Sequence, residues 1–242
     1  MLSVQNLSVS VNNQEIIQNL SCFIKQGSIT VCMGPNGSGK SSLAYALAGH
    51  PSYLITGGQI SFNDTMIHAI TPDKRARLGI FLSQQYPPAL PGVTIESLLK
   101  ESFRALYPQF DNAVFQARLK NALQVLQLEE SVLQRAVHDG FSGGQKKRCE
   151  LLQLLVLQPQ LAILDEIDSG LDVDSLQLIG TALQQFKKDN PASSLLIITH
   201  YQKLLEYLVP DQILVVQHGK LVKTGGPDLI EVINKGGYEQ FS

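Results

Sequence analysis

Ser28-Ile29-Thr30-Val31-Cys32-Met33-Gly34-Pro35-Asn36-Gly37-Ser38-Gly39-Lys40-Ser41-Ser42 is the stretch that decides the fold. Its first six residues form a short, nearly continuous apolar run, as expected of a strand covered on both faces. Residues 41–49 continue as helix. Between them, Gly34 to Ser41 matches G-x-x-x-x-G-K-[ST] in full. Glycines are needed because the backbone must wrap phosphate oxygens with its N–H groups inward, a curvature that side chains would obstruct. Lys40 offers a point charge to the β- and γ-phosphates, and Ser41 a hydroxyl to Mg²⁺. Strand, phosphate loop and helix in this order predict an α/β nucleotide-binding core.

Two further apolar strands end in polar groups. Leu161-Ala162-Ile163-Leu164 runs into Asp165-Glu166. Two acids at the end of a buried strand are costly unless a cation lies there; alone they could be a solvated strand end. Asp165 suits Mg²⁺, directly or through water. Glu166 points differently and could reach an attacking water as general base. Ile197-Ile198-Thr199 ends at His200. A lone His is more often structural, but this strand should lie beside that of Asp165, where ligands gather in open α/β sheets. His200 is therefore read as a γ-phosphate contact that holds the water and Glu166 in line. Gln85, before Tyr86-Pro87-Pro88, is the candidate Mg²⁺ and water contact at a junction; Gln84 beside it leaves that assignment open by one residue.

Phe141-Ser142-Gly143-Gly144-Gln145-Lys146-Lys147-Arg148 adds a second phosphate-binding surface, because a serine and two glycines open a helix there. Two such elements about a hundred positions apart, for one nucleotide, suggest that each ATP is sandwiched between the loop of one subunit and the serine-glycine element of another. Ser169-Gly170-Leu171-Asp172 follows Glu166 closely. It reads either as a turn facing the opposite subunit or as helix-capping chemistry leading into Asp174.

Around these motifs, Leu2 to Val11 alternates as a strand with a turn at Asn12-Asn13, followed by strands near 20–24 and 59–62. From Thr94 to about Val137 the apolar spacing turns helical, predicting an all-helical insert. A helix is expected over 174–188 and a hairpin around His218-Gly219. The chain has 242 residues, 44% of them hydrophobic, which is enough for a substantial core. A net charge of −2 gives no global attraction to nucleic acid or anionic lipid. Met1 to Asn6 lacks a basic flank followed by an apolar run, so a secretory leader is not expected. The apolar runs are far shorter than the roughly 20 residues that span a bilayer, so a cytoplasmic protein is expected. Cys22, Cys32 and Cys149 form no Cys-x-x-Cys pair or Cys/His cluster and read as small buried residues of a reducing compartment.

The motifs, in this order, resemble those of the ATP-binding cassette (ABC) ATPases over essentially the whole chain. The resemblance implies an α/β, P-loop NTPase (RecA-like) core with an antiparallel β subdomain, at 1–85 and 158–242. It also implies an inserted α-helical subdomain at 86–157 that carries the signature motif. It makes Gly34 to Ser41 the Walker A loop, with Ser42 beside it also binding nucleotide, Gln85 the Q-loop and Ser142 to Gln145 the signature. Asp165 and Glu166 become the Walker B pair, Asp172 the D-loop acid and His200 the switch histidine. The implied cofactors are ATP and Mg²⁺, with Ser41, Gln85 and Asp165 around the metal and Glu166, His200 and Gln85 around the chemistry. Ser142, Gly143, Gly144, Gln145 and Asp172 would meet the nucleotide of a second copy in a head-to-tail dimer. Many cassettes place an aromatic near the end of the first strand to stack on adenine. Here that position falls on Val11 and no aromatic precedes Phe23, so modest nucleotide affinity is expected.

The flanks are more specific. Gly140 to Gly144 with Lys146-Lys147-Arg148, Leu161 to Asp172, Ile198 to Gln202, Gln85-Tyr86-Pro87, Pro91 to Val93 and Val209-Pro210-Asp211 are similar to the SufC-type ATPases of iron–sulfur cluster assembly. Gln145 departs, since Glu is frequent there. The resemblance implies SufB- and SufD-like scaffold proteins as partners, docking near Gln85 at Tyr86 to Val93. The rivals are a cassette that energises a membrane transporter, and a chromosome-maintenance head. The compact insert and the charge of −2 argue against the second.

Overall fold

The computed structural model describes residues 1–199 and 202–241. His200 lies outside them. Strands β1 (Leu2–Val11) and β2 (Gln14–Ile24) are joined by Asn12 and Asn13, both at positive φ. Asn tolerates that backbone, which suits the tight reversal. After β3 (Ile29–Met33) and α1 (Lys40–Ala48) come β4 (Leu54–Phe62), β5 (Thr65–Met66), α2 (Pro72–Arg77) and β6 (Ile80–Ser83). The insert holds β7 (Leu90–Thr94), α3 (Ile95–Leu106), α4 (Asn112–Val125), β8 (Ala136–Val137) and α5 (Gly143–Leu157). Then follow β9 (Leu161–Asp165), α6 (Val173–Asp189), β10 (Ser194–Ile198), β11 (Gln212–Gln217), β12 (Lys220–Gly225) and α7 (Asp228–Gly236).

Among the described residues, β2-β1-β4-β5 form an antiparallel sheet and β12-β11-β3-β10-β9-β6 a larger one. The larger sheet is parallel from β11 through β6; only β12 pairs antiparallel. Its strands read as continuous apolar runs because both faces are covered. Alternate residues serve different cores, as period-2 side chains require. Val31, Met33, Ala162, Leu164, Leu195 and Ile197 pack with the helices of the insert, α6 and α7. Cys32, Leu161, Ile163, Leu196 and Ile198 pack with α1 and the antiparallel sheet.

The insert departs from the all-helical expectation in one detail. β7 and β8 form a short, irregular antiparallel pair, Leu90 opposite Val137 and Thr94 opposite Ala136. Two residues of β8 between polar neighbours carry too little periodicity to be read as a strand. Its helices begin where side chains can cap them. The Thr94 hydroxyl accepts from the Ser97 N–H, and Asp111 accepts from the N–H groups of Ala113 and Val114.

Register puts the functional segments at one edge. Ile198 pairs with Cys32 on one side and Asp165 on the other, and Ser83 pairs with Leu164. The turns leaving β3, β6 and β9 therefore emerge side by side at the carboxyl ends of parallel strands, where open α/β sheets gather ligands.

Candidate functional site

Gly34 leaves β3 at φ 153°, with Val216 so close that a Cβ would sit 2.0 Å from its carbonyl oxygen. Only glycine fits there. Gly39 precedes α1 at φ 104°, turning the chain so that the helix N-terminus faces the loop. The Gly219 N–H donates to the Ser38 carbonyl at 2.9 Å, tying the loop to the β11–β12 turn. Lys40 is buried, and its Nζ donates to the carbonyls of Gly34 (3.0 Å) and Pro35 (2.9 Å). Burial lowers its pKa, opposed by Cys32, Glu166 and Asp165. A cation held this way is ready to exchange loop carbonyls for phosphate oxygens.

Ser41 Oγ donates to Asp165 Oδ1 at 3.0 Å. The carboxylate of Asp165 is fully buried, and burial pushes its pKa up to about 6 against the Ser41 hydrogen bond. Its second oxygen, Oδ2, has no hydrogen-bond partner. A buried carboxylate oxygen left open, beside a serine hydroxyl, is the donor set a hard divalent cation requires. The residues therefore fit Mg²⁺, which Ser41 and Asp165 would hold. Bound there with nucleotide, it would neutralise phosphate charge.

Glu166 stands at φ 50°, with its N–H donating to the Ile198 carbonyl at 2.9 Å. Gln85 Nε2 donates to Glu166 Oε2. Of the two adjacent glutamines, Gln85 is thus the one that meets the acidic pair. One cavity of about 670 Å³ is lined by Asn36 to Ser42, Gln85, Glu166 and Ser169, with Val11, Ile16 and Tyr53 along its apolar part.

Ser142 to Gln145 lie elsewhere. Ser142 Oγ accepts from the Gln145 N–H at 3.3 Å, and Gln145 Oε1 accepts from the Ser142 N–H at 3.0 Å, a reciprocal cap on α5. Gln and Glu both make this cap, so Gln145 in place of Glu preserves the geometry. A separate cavity of about 290 Å³ is lined by Ser142, Gly144, Gln145, Arg148, Gly170, Leu171, Asp172 and Ser175. Phe141 is buried in the larger core, with the Arg135 guanidinium 4.0 Å from its ring centroid. Asp172 accepts from the Ser175 N–H at 2.7 Å and so caps α6. Of the two readings of this acid, the carboxylate performs the capping one, while its turn lines the second cavity.

Three residues of the site were not picked out in the sequence. Lys147 is buried, and its Nζ donates to the Glu166 carbonyl oxygen and to Ser169 Oγ at 3.4 Å. It is the cation that the strand-end acids call for. Within Lys146-Lys147-Arg148 it is indistinguishable from solvated neighbours; only its position one helical turn beyond Gly143 hints that it faces inward. Asp168 is buried, accepts from the Thr199 hydroxyl and has its pKa raised by burial. Tyr53 carried no signal beyond being an aromatic before a strand.

Comparison with known proteins agrees with this geometry. The ABC transporter family pattern matches residues 17–169. The chain is 42% identical over 99% of its length to a probable ATP-dependent transporter, ycf16, of Cyanophora paradoxa, covering 93% of that protein. It is 41% identical, again over 99% of the chain and 94% of the relative, to a probable ATP-dependent transporter, slr0075, of Synechocystis. Among solved structures, a dimeric post-hydrolysis cassette, MJ0796, bound to ADP and Pi superposes with a TM-score of 0.79. It covers 94% of this chain and 99% of its own, at 19% identity, which speaks for the fold alone. The chain belongs to the ABC transporter ATPase family and is an ATP-hydrolysing cassette of P-loop NTPase fold that binds ATP with Mg²⁺.

Proposed function

We propose that this cassette works as a head-to-tail pair around two ATP molecules and drives a SufB/SufD-type scaffold in iron–sulfur cluster assembly. One observation carries the pairing. The phosphate loop and the signature serine open onto different cavities of the same chain, and the 169–172 turn lines both. Neither cavity alone offers both phosphate-binding elements, so a second copy supplies the missing one.

In this reading Gly34 to Ser42 hold the triphosphate, with Lys40 leaving its loop carbonyls for the β- and γ-oxygens. Ser41 and Asp165 hold Mg²⁺, and Gln85 joins them. Glu166, released from Gln85, accepts the proton of the attacking water, and His200 holds that water in line. Ser142, Gly143, Gly144 and Gln145 present helix N-terminal N–H groups to the partner's γ-phosphate. Asp172 keeps their turn in shape. Residues 86–157 rotate against the core at 1–85 and 158–242, because Gln85 sits at the joint and contacts the acid that does the chemistry.

The scaffold assignment rests on the flanking residues. Phe141 fills the space under the signature helix, and Tyr86, 83% exposed next to Gln85, presents an unpaired aromatic where a partner would feel the joint move. Leu90 and Val93 are exposed beside it. A cytoplasmic cassette acting on a soluble scaffold also needs no membrane span; no helix among the described residues is long and apolar enough to cross a bilayer. The relatives' names favour a second reading, a cassette that energises a membrane transporter. Pull-down of the tagged chain from its own cells, with mass spectrometry of what accompanies it, separates the two. Scaffold proteins are expected; recovery of a membrane permease without them overturns the assembly reading.

A further inference from the structure

Within the insert, His138 and Glu150 form a buried polar pair that lines neither of the two cavities described above. His138 Nδ1 lies 3.1 Å from the Pro88 carbonyl oxygen, and its Nε2 lies 3.2 Å from Glu150 Oε1. A carbonyl only accepts, so the proton on Nδ1 makes the first contact. The second is a close polar contact rather than an aligned hydrogen bond. Gln153 Nε2 donates to the same Glu150 oxygen at 3.0 Å and helps to fix the carboxylate.

Three segments meet at this ring. Pro88 follows closely on Gln85, whose Nε2 donates to Glu166. His138 itself stands between β8 and the signature serine at φ 59°, a left-handed backbone that most side chains avoid. Its ring meets the Phe141 ring edge-on, with centroids 6.4 Å apart. Glu150 lies on α5, about two helical turns beyond Ser142. The β7–β8 pair already brings the first two backbones together, Leu90 opposite Val137. The imidazole ties both of them to the helix that carries the signature.

We infer that His138 is a positioning residue for ATP hydrolysis: it fastens the segment leaving Gln85 to the signature helix, so that a shift of Gln85 at Glu166 carries Ser142 with it. A buried polar contact between packed segments resists sliding, because parting it leaves polar groups without partners. The inference rests on the composite-site reading above, in which Gln85 serves the nucleotide of its own chain and Ser142 that of the partner. His138 then relays the state of one nucleotide to the surface that meets the other.

The test is a double-variant cycle on the full chain, read by steady-state ATPase assay and urea unfolding. His138→Asn suits the left-handed backbone and is too short to reach Glu150. It is expected to lower kcat about tenfold, within the range for residues that couple two sites, with KM for MgATP unchanged. In a Gln85→Ala background the same change should cost less than about twofold, because the link then has nothing to carry. Its shift in urea midpoint should be the same in both backgrounds. Equal fold-losses of kcat in the two backgrounds mark a merely structural histidine and overturn the inference, as does an unchanged kcat. Should His138→Asn fold poorly, Glu150→Met, which keeps the length of the side chain without its oxygens, runs the cycle from the other end and must give the same pattern. Failure of the composite-site reading shows separately, as no recovery of turnover when Ser142→Arg and Lys40→Ala subunits are mixed. Recovery there without the dependence on Gln85 refutes the role of His138 alone.

Discussion

Lys147 Nζ donates a hydrogen bond to the backbone carbonyl of Glu166, 19 residues further along the chain. The helix that carries the signature and the strand end that carries the acidic pair are thus joined by one buried cation. Asp168, Glu166, Asp165 and Glu150 all favour its charged form against the burial that lowers its pKa.

Lys147→Met removes that joint and leaves Asp168 buried without its nearest cation. Breaking one side of a buried charge cluster costs about 3 kcal/mol or more. Urea unfolding is expected to register a loss of this order, and adding Asp168→Asn should return part of it. Equal stability of parent and Lys147→Met would show that the lysine is a bystander.

Glu166→Gln keeps the size of the side chain and its contact with Gln85, so ATP binding is expected to persist. Hydrolysis should fall by roughly 10²- to 10⁴-fold, the usual contribution of a positioned base. Single-turnover assays at saturating ATP measure it directly. Parental turnover would remove Glu166 from that role.

Asp165 makes the metal-free protein sensitive to pH. Its folded pKa, about 6, lies above the ordinary aspartate value, so ionisation opposes folding. The stability held at low pH is lost as pH rises from near 4 through 6. At neutral pH in EDTA, Asp165→Asn should therefore be more stable than the parent by about 3 kcal/mol. The difference should close by about pH 3, below both the folded and the unfolded pKa, where the carboxyl is largely protonated in both states. A difference that stays constant across this range would mean that burial of the charge is not its cause.

Ser142→Arg would block the cavity at the start of α5, and Lys40→Ala removes the cation proposed for the phosphates. Each variant alone is expected to lose at least ~10²-fold in ATPase rate, as when preorganised charge stabilisation is removed. Mixed, they can build one intact composite site from the loop of one subunit and the signature of the other. Recovered turnover on mixing is the expected result; a mixture as inactive as its components would mean that each chain completes its own site.

Much of this architecture could be read from short stretches. The phosphate loop is dictated locally, because Gly34 and Gly39 must take backbone that other residues resist. The buried strands follow from unbroken apolar runs, and the start of the helix after Ser142 from a serine followed by two glycines. The short β8 strand escaped because two residues carry no period. His200 could be singled out from its strand, although it lies outside the described residues.

Other features depend on which segments the fold brings together. Lys147 reads like its charged neighbours until α5 packs it over the end of β9. Asp165 gains meaning when one of its oxygens is buried without a partner. The sequence by itself determined the family's chemistry, since phosphate loops, caps and buried strands are contests among neighbours a few residues apart. The tertiary structure decided which charges are buried together and which walls face the nucleotide, because burial and register are set by contacts between segments far apart in the chain.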